Sequence, residues 1–201
     1  MDKIFQYDNP VWNFLGKIAD LVYLTLLWII FSLPIFTMGA ATTAIYKCAQ
    51  NLLEDEGQLT RVFIMSFREN FKKSTILWLL VLLIGTILSA DIYFFSQIDT
   101  DWSKIMALSA LIFMFLLIMM AIYMFNMLAR FENTFKQLFA IAFVLSLKAL
   151  PWTVFMVVVL LASLAIVFLK YWFVGLIAVG LVAYIHTWIL DFVYKKYGLL
   201  G

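Results

Sequence analysis

Residues Ile105 to Phe125 read IMALSALIFMFLLIMMAIYMF, with Ser109 as the one clearly polar side chain. A helix needs about 20 mainly apolar residues to cross the hydrocarbon core of a bilayer, and this stretch has that length. Two later stretches, Pro151 to Leu169 and Tyr171 to Leu190, have a similar length and apolar character. The three stretches predict membrane-crossing helices in a protein that is embedded in a bilayer.

The composition of the whole chain also favours a membrane protein. Hydrophobic residues make up 66% of its 201 residues and charged residues only 13%. A soluble domain needs about twice that share of charge to cover its surface. No polar linker divides the chain, so we predict a single membrane domain over residues 1–201. The net charge of +2 gives no reason to expect a nucleic-acid partner.

Two further apolar runs contain polar interruptions. Thr75 to Phe95 is long enough to cross only if Asp91 is tolerated near its outer end. Leu21 to Met38 has the right length but contains Pro34, which breaks helices. The chain is therefore predicted to have about five spans, at about 18–38, 75–96, 105–128, 151–169 and 171–193. The first run could instead dip into the membrane and return.

Three segments between the spans have helical periodicity but carry too much charge to cross; they are residues 40–54, 60–74 and 131–149. In the second segment, Phe63, Phe67 and Phe71 recur at every fourth residue. A basic helix with an aromatic stripe suits the lipid headgroup region. Packing against the ends of the bundle explains the stripe equally well. The predicted fold class is an all-α bundle of about five transmembrane helices with amphipathic cytoplasmic or interfacial helices.

Basic residues lie mainly on one side of the predicted spans. Ten of the 14 lysines and arginines fall in residues 39–74, residues 128–150 and the C-terminal tail. The positive-inside rule places these segments, and therefore the C-terminus, in the cytoplasm. Five spans then put the N-terminus outside the cell, whereas a first run that returns would leave the N-terminus inside.

A weak internal similarity relates the two halves of the chain. A shift of 76 residues superimposes Phe63, Phe67, Phe71 and Lys72 on Phe139, Phe143, Leu147 and Lys148, and a shift of 61 superimposes Tyr123, Asn126 and Phe131 on Tyr184, Thr187 and Phe192. Two copies of a surface helix followed by a hairpin would produce this pattern, as in the parallel repeats of some transporters. Chance matching between apolar sequences would produce it as well.

The sequence contains none of the common catalytic signatures. There is no glycine-rich phosphate loop, no serine nucleophile elbow and no HExxH zinc motif. One histidine and one cysteine are too few for a histidine- or cysteine-based metal cluster. We therefore predict a protein that is not an enzyme, with no catalytic residues, no cofactor and no metal ion.

Polar and helix-bending residues inside the apolar runs are the candidate functional residues, because polar groups are costly to bury in lipid. They are Pro34, Thr37, Gly39, Thr43, Asp91, Asn126 and His186. The bend from Pro34 to Thr43 could line a solute cavity or could simply end a helix. Asp91 could bind a cation or proton or could be an interfacial carboxylate. His186 could carry a proton or could make one interhelical hydrogen bond, and Asn126 marks the cytoplasmic rim.

Two stretches carry a resemblance to a known family. They are LLWIIFSLPIFTMGAATTAIYKCAQNLLEDEG at residues 26–57 and SFRENFKKSTILWL at residues 66–79. Both resemble the YesL family of bacterial membrane proteins, a domain of unknown function. The matching positions are Leu27, Trp28, Leu33, Pro34, Thr37, Gly39, Thr43, Ala44, Tyr46, Phe67, Phe71 and Lys72. The resemblance implies a bacterial cytoplasmic membrane protein whose genes lie beside systems for carbohydrate uptake and sugar-responsive regulation. It supplies no activity and no catalytic residues.

The leading functional hypothesis is an accessory or interaction component associated with carbohydrate uptake or its regulation. Besides the lipid bilayer, its partner would be a sugar-transport or signalling complex in the membrane. The partner-facing elements would be the helices at 40–54 and 60–74 and the helix before Pro151. The alternative is a small-solute permease with a polar path near Pro34–Thr43, Asp91 and His186. The oligomeric state stays open.

Overall fold

The computed structural model describes residues 10–132, 134–169 and 174–200, and these residues form helices joined by short connections. The seven α-helices are α1 (Pro10–Phe31), α2 (Met38–Leu53), α3 (Leu59–Ser96), α4 (Asp101–Arg130), α5 (Phe135–Lys148), α6 (Leu150–Phe168) and α7 (Gly175–Lys196). A short 3-10 helix, Ile35–Thr37, joins α1 to α2. The prediction of an all-helical protein is confirmed for the part of the chain that is described.

Four of the described helices are long and apolar enough to cross a membrane, namely α3, α4, α6 and α7. Large apolar side chains are exposed along them, as lipid contact requires. The chain is therefore a multi-pass membrane protein. The last predicted span, 171–193, corresponds to α7, which begins at Gly175; residues 171–173 lie outside the described part.

The first predicted span has different ends in the structure. α1 begins at Pro10 and ends at Phe31, whereas the sequence pattern placed the span at 18–38. The helix stops because Pro34 disfavours helical backbone at Leu33, the residue before it. The chain then turns and enters α2 within six residues.

α3 is one continuous helix of 38 residues where the sequence pattern predicted an amphipathic helix at 60–74 and a span at 75–96. From Leu59 to Ile84 there is no glycine or proline, so no residue ends the helix at the junction. At 1.5 Å per residue α3 measures about 57 Å, almost twice the hydrocarbon thickness. The N-terminal half of α3 is therefore not needed to cross the bilayer.

α2 is a core helix, although the sequence pattern at 40–54 predicted an amphipathic surface helix. Most of its residues are buried, and α2 packs against α1, α3, α4 and α7. The polar residues Gln50 and Asn51 are buried along with the apolar residues Ala44 and Cys48. α2 therefore packs inside the bundle over most of its surface, and residues near its C-terminal end, such as Lys47, keep contact with solvent.

α1 and α2 form a hairpin, and the first part of α1 lies beside the α2–α3 connection. Lys17 near the start of α1 pairs with Asp55 in that connection at 3.2 Å, and Tyr23 hydrogen bonds to Thr60 in the first turn of α3 at 2.6 Å. The tip of the hairpin lies about five helical turns further along α3, where the Trp78 indole N–H donates to the carbonyl of Ile35 at 2.8 Å. The end of α2 and the first part of α1 therefore lie at the same end of the bundle, and the bend lies further along α3.

The second half of the chain resembles the part formed by α3 and α4, except that the helix before the hairpin is a separate element, α5. α3 and α4 form one hairpin, and α6 and α7 form another that is preceded by α5. The predicted 131–149 helix is α5, which begins at Phe135 because Thr134 and Gln137 cap its first turn. It is separated from α6 at Ala149 because Pro151 occupies the first turn of the next helix.

Candidate functional site

The bend between α1 and α2 is held by contacts that join α1, α2 and α3. The Thr37 hydroxyl lies 2.6 Å from the carbonyl oxygen of Phe31 and 2.7 Å from that of Pro34, so it caps the C-terminal end of α1. Thr43 and Ser74 are joined by a buried 2.8 Å hydrogen bond between their hydroxyl groups. Both threonines thus serve local structure and packing, and Pro34 itself is exposed at the tip.

Gly39 marks the closest approach of α2 to α3. A Cβ atom at this position would lie 2.5 Å from the carbonyl oxygen of Ser74 and 2.5 Å from the Cβ of Trp78. A side chain at residue 39 would therefore force the two backbones apart. Glycine is required here by space, as at close crossings of membrane helices.

His186 joins three helices through both nitrogens of its ring. Its Nδ1 lies 3.0 Å from the Tyr46 hydroxyl on α2, and its Nε2 lies 3.0 Å from the carbonyl oxygen of Met156 on α6. A carbonyl oxygen only accepts, so Nε2 donates, and in a neutral ring Nδ1 then accepts from the Tyr46 hydroxyl. His186 is 1% exposed, and its two hydrogen bonds hold α7 against α2 and α6.

The carboxylate that a permease path would need lies apart from the bend. Asp91 is half-buried near the C-terminal end of α3. Trp78, which contacts the bend at Ile35, lies 13 residues earlier on α3, or about 20 Å along the helix axis. His186 lies on α7 between α2 and α6, and its partner Tyr46 follows the bend by three residues. The predicted carboxylate and the predicted bend therefore occupy separate places.

A cavity of about 480 Å³ opens beside the bend, between α1, α2, α6 and α7. Its lining is mainly aliphatic, with Leu160, Leu176 and Val179 among the residues that form it. The polar groups at its edge, such as the Trp28 indole and the Thr42 hydroxyl, hydrogen bond to each other at 3.1 Å. This lining suits lipid chains and does not provide a polar path.

Asn126, the last of the predicted site residues, lies at the contact between α4 and α7. Its side-chain nitrogen donates to the Thr187 hydroxyl at 3.3 Å. One turn further along α4, Arg130 pairs with Asp191 of α7 at 2.7 Å, and the Arg130 guanidinium lies over the Tyr194 ring. In both polar pairs the two residues are 61 positions apart. The positions that the sequence shift superimposes thus face each other, which supports an internal repeat.

A polar cleft opens at this same end of the bundle, between α2, α4 and α7. Its volume is about 330 Å³, and it is lined by Lys47, Gln50, Glu54, Arg130, Asp191, Lys195 and Leu200. We call it the basic-end cleft. The sequence did not single it out, because its residues come from three helices far apart along the chain. The signal that could have found it is the 61-residue shift, which superimposes Arg130 on Asp191.

Comparisons with known proteins agree with this sequence and fold. The family described as "Protein of unknown function, DUF624" matches residues 21–92, from α1 to the C-terminal part of α3. The chain is also 27% identical over 149 residues to the "Uncharacterized protein YesL" of Bacillus subtilis (strain 168), covering 71% of this chain and 69% of the relative. No solved structure matches significantly. The two matches confirm the resemblance to the YesL family.

Proposed function

We propose that this YesL-like membrane protein is a non-enzymatic accessory or interaction component associated with carbohydrate uptake or its regulation. The carbohydrate association rests on what the family resemblance implies. The interaction role rests on one structural observation, which is the uncovered face of the N-terminal half of α3.

The N-terminal half of α3 has one face in the bundle and one face free of other described helices. Phe63 is fully buried, and its ring packs against Phe31 of α1 with the centroids 5.3 Å apart. The other side exposes Arg61, Met65 and Arg68 around a shallow groove. Arginine and methionine are enriched at protein interfaces, and both adapt to a partner surface.

α5 is a weaker candidate for a protein contact. Its exposed side chains include Phe143, Val144 and Leu147, all of them apolar. An apolar face on a membrane protein is already satisfied by lipid, so it does not require a protein partner. The basic face of α3 therefore carries the proposal.

Photo-crosslinking in native membranes tests the interaction role. A benzophenone amino acid at Met65 is expected to give a discrete covalent adduct with another protein. The matched control is the same amino acid at Leu108, which is exposed on the apolar span α4 and is expected to react with lipid only. The proposal fails if Met65 gives no protein adduct, or if both positions give the same adducts.

We also propose that α1 and α2 enter the membrane and return, so that four helices cross and both termini are cytoplasmic. The support is the Lys17–Asp55 ion pair together with the Tyr23–Thr60 hydrogen bond, which tie the first part of α1 to the α2–α3 connection. The sequence alone left this arrangement open beside one with five spans and an outside N-terminus.

Cysteine labelling distinguishes four spans from five. In a Cys48→Ala background, Gly16→Cys and Gly57→Cys add side chains where nothing lies within 4 Å, and Asp99→Cys marks the α3–α4 connection. In intact cells an impermeant maleimide should label only Asp99→Cys, and after permeabilisation it should label all three. Labelling of Gly16→Cys in intact cells would establish the five-span arrangement instead.

A further inference from the structure

The described residues that line the basic-end cleft carry more positive than negative charge. Arg130 and Asp191 pair with each other at 2.7 Å. This pair leaves two lysines, Lys47 and Lys195, and one carboxylate, Glu54, in the lining. No ion pair joins Glu54 to either lysine in the described part of the chain. The described lining residues, three basic and two acidic, therefore carry a net charge of +1.

Gln50 supplies a second, independent indication that a ligand binds here. The residue lines the cleft and is 3% exposed, yet its side-chain nitrogen has no hydrogen-bond partner among the described residues. Buried amide donors are nearly always paired in folded proteins, because an unpaired donor has lost its hydrogen bonds to water without replacement. An acceptor atom from outside the chain would remove this cost.

We propose that the basic-end cleft binds a phosphate-bearing anion. Lysine ammonium and arginine guanidinium groups only donate hydrogen bonds, and the free Gln50 nitrogen also donates. A phosphate group offers several charged acceptor oxygens in a compact volume, which matches the donors that Lys47, Lys195 and Gln50 contribute to the lining. Its size suits a cleft of about 330 Å³, which lies at the small end of ligand sites.

The phosphate could come from the bilayer or from solution. The cleft lies at one end of the membrane-crossing helices α4 and α7, and the ends of such helices are where a bilayer has its lipid headgroups. It is also open to solvent, because Arg130 and Asp191 keep 12% and 24% of their side-chain surface exposed. Both sources present the same chemistry, so the experiment needs a soluble and a lipid probe.

Binding is measured on the purified full-length chain with two sets of probes. Isothermal titration of the detergent-solubilised protein with inorganic phosphate and glycerol 3-phosphate tests the soluble source. Native mass spectrometry from phosphatidylcholine nanodiscs, with and without phosphatidic acid, tests the lipid source. Binding of glycerol 3-phosphate assigns the soluble source, and retention of phosphatidic acid alone assigns the lipid source. Either result supports a phosphate site.

Three variants locate the site. Lys47→Gln and Lys195→Gln each remove one charged donor, and each is expected to weaken binding about tenfold, since such a hydrogen bond contributes at least 1.4 kcal/mol. Lys196→Gln removes a neighbouring exposed charge that does not line the cleft, and it should change binding less than twofold. The proposal is overturned if no probe binds, or if Lys196→Gln weakens binding as much as the two cleft variants.

Discussion

Replacing Gly180 by alanine is expected to lower the stability of the folded protein by about 1–3 kcal/mol, the usual cost of overpacking a filled contact. A Cβ atom at residue 180 would overlap the carbonyl oxygen of Leu21 and would lie 3.0 Å from the Thr25 hydroxyl oxygen. The first of these atoms belongs to the backbone of α1 and cannot rotate away. The N–H of Gly180 also donates to Thr25 at 2.9 Å, a bond that the separation of α1 from α7 would break.

The matched control for Gly180→Ala is Gly85→Ala on α3. A Cβ at residue 85 would meet only the end of the Leu117 side chain at 3.8 Å, an ordinary contact. Alanine favours a helix over glycine by about 1 kcal/mol, so this variant should be as stable as the parent or slightly more stable. Thermal unfolding in mild detergent measures both. An unchanged midpoint for Gly180→Ala would show that α1 does not contact α7 at this residue.

The helical membrane fold could be predicted from the sequence because it depends on local composition. A run such as Ile105 to Phe125 is too long and too apolar for anything except a span. The continuity of α3 could also have been recognised, since no glycine or proline interrupts residues 59–84. The predicted boundary between the helix at 60–74 and the span at 75–96 was placed after Lys72 and Lys73 because of their charge. Charged residues on one face do not end a helix.

The burial of α2 could not be predicted, because its periodicity has two explanations. Small residues such as Ala41 and Ala44 form a narrow apolar stripe in an interfacial helix, and they equally allow close packing on every side. Only tertiary contacts decide between an interfacial and a buried helix. One example is the hydrogen bond between Tyr46 and His186, which are 140 residues apart in the sequence. The basic-end cleft was missed for the same reason. Lys47, Arg130 and Lys195 were each interpreted only as markers of the cytoplasmic side.

Replacing Arg130 by glutamine is expected to destabilise the protein by about 2–3 kcal/mol. Loss of one partner from a buried ion pair typically costs 3–5 kcal/mol, because the other charge stays behind without compensation. The Arg130–Asp191 pair keeps some solvent contact, with 12% and 24% of the side chains exposed, so the cost should be somewhat lower. Thermal unfolding in phosphate-free buffer measures this cost without any contribution from anion binding.

Two further variants test whether the loss of stability in Arg130→Gln comes from its ion pair with Asp191 or from the loss of a positive charge. The double variant Arg130→Gln/Asp191→Asn leaves two neutral amides that can hydrogen bond, so it should recover most of the lost stability. Lys104→Gln breaks the exposed pair with Asp99, whose side chains are 64% and 94% exposed, and should lower stability by less than about 1 kcal/mol. If the double variant is no more stable than Arg130→Gln, the two charges are not coupled. The contact between α4 and α7 would then depend on packing around Asn126 and Thr187, and the repeat-related pair would have no energetic role.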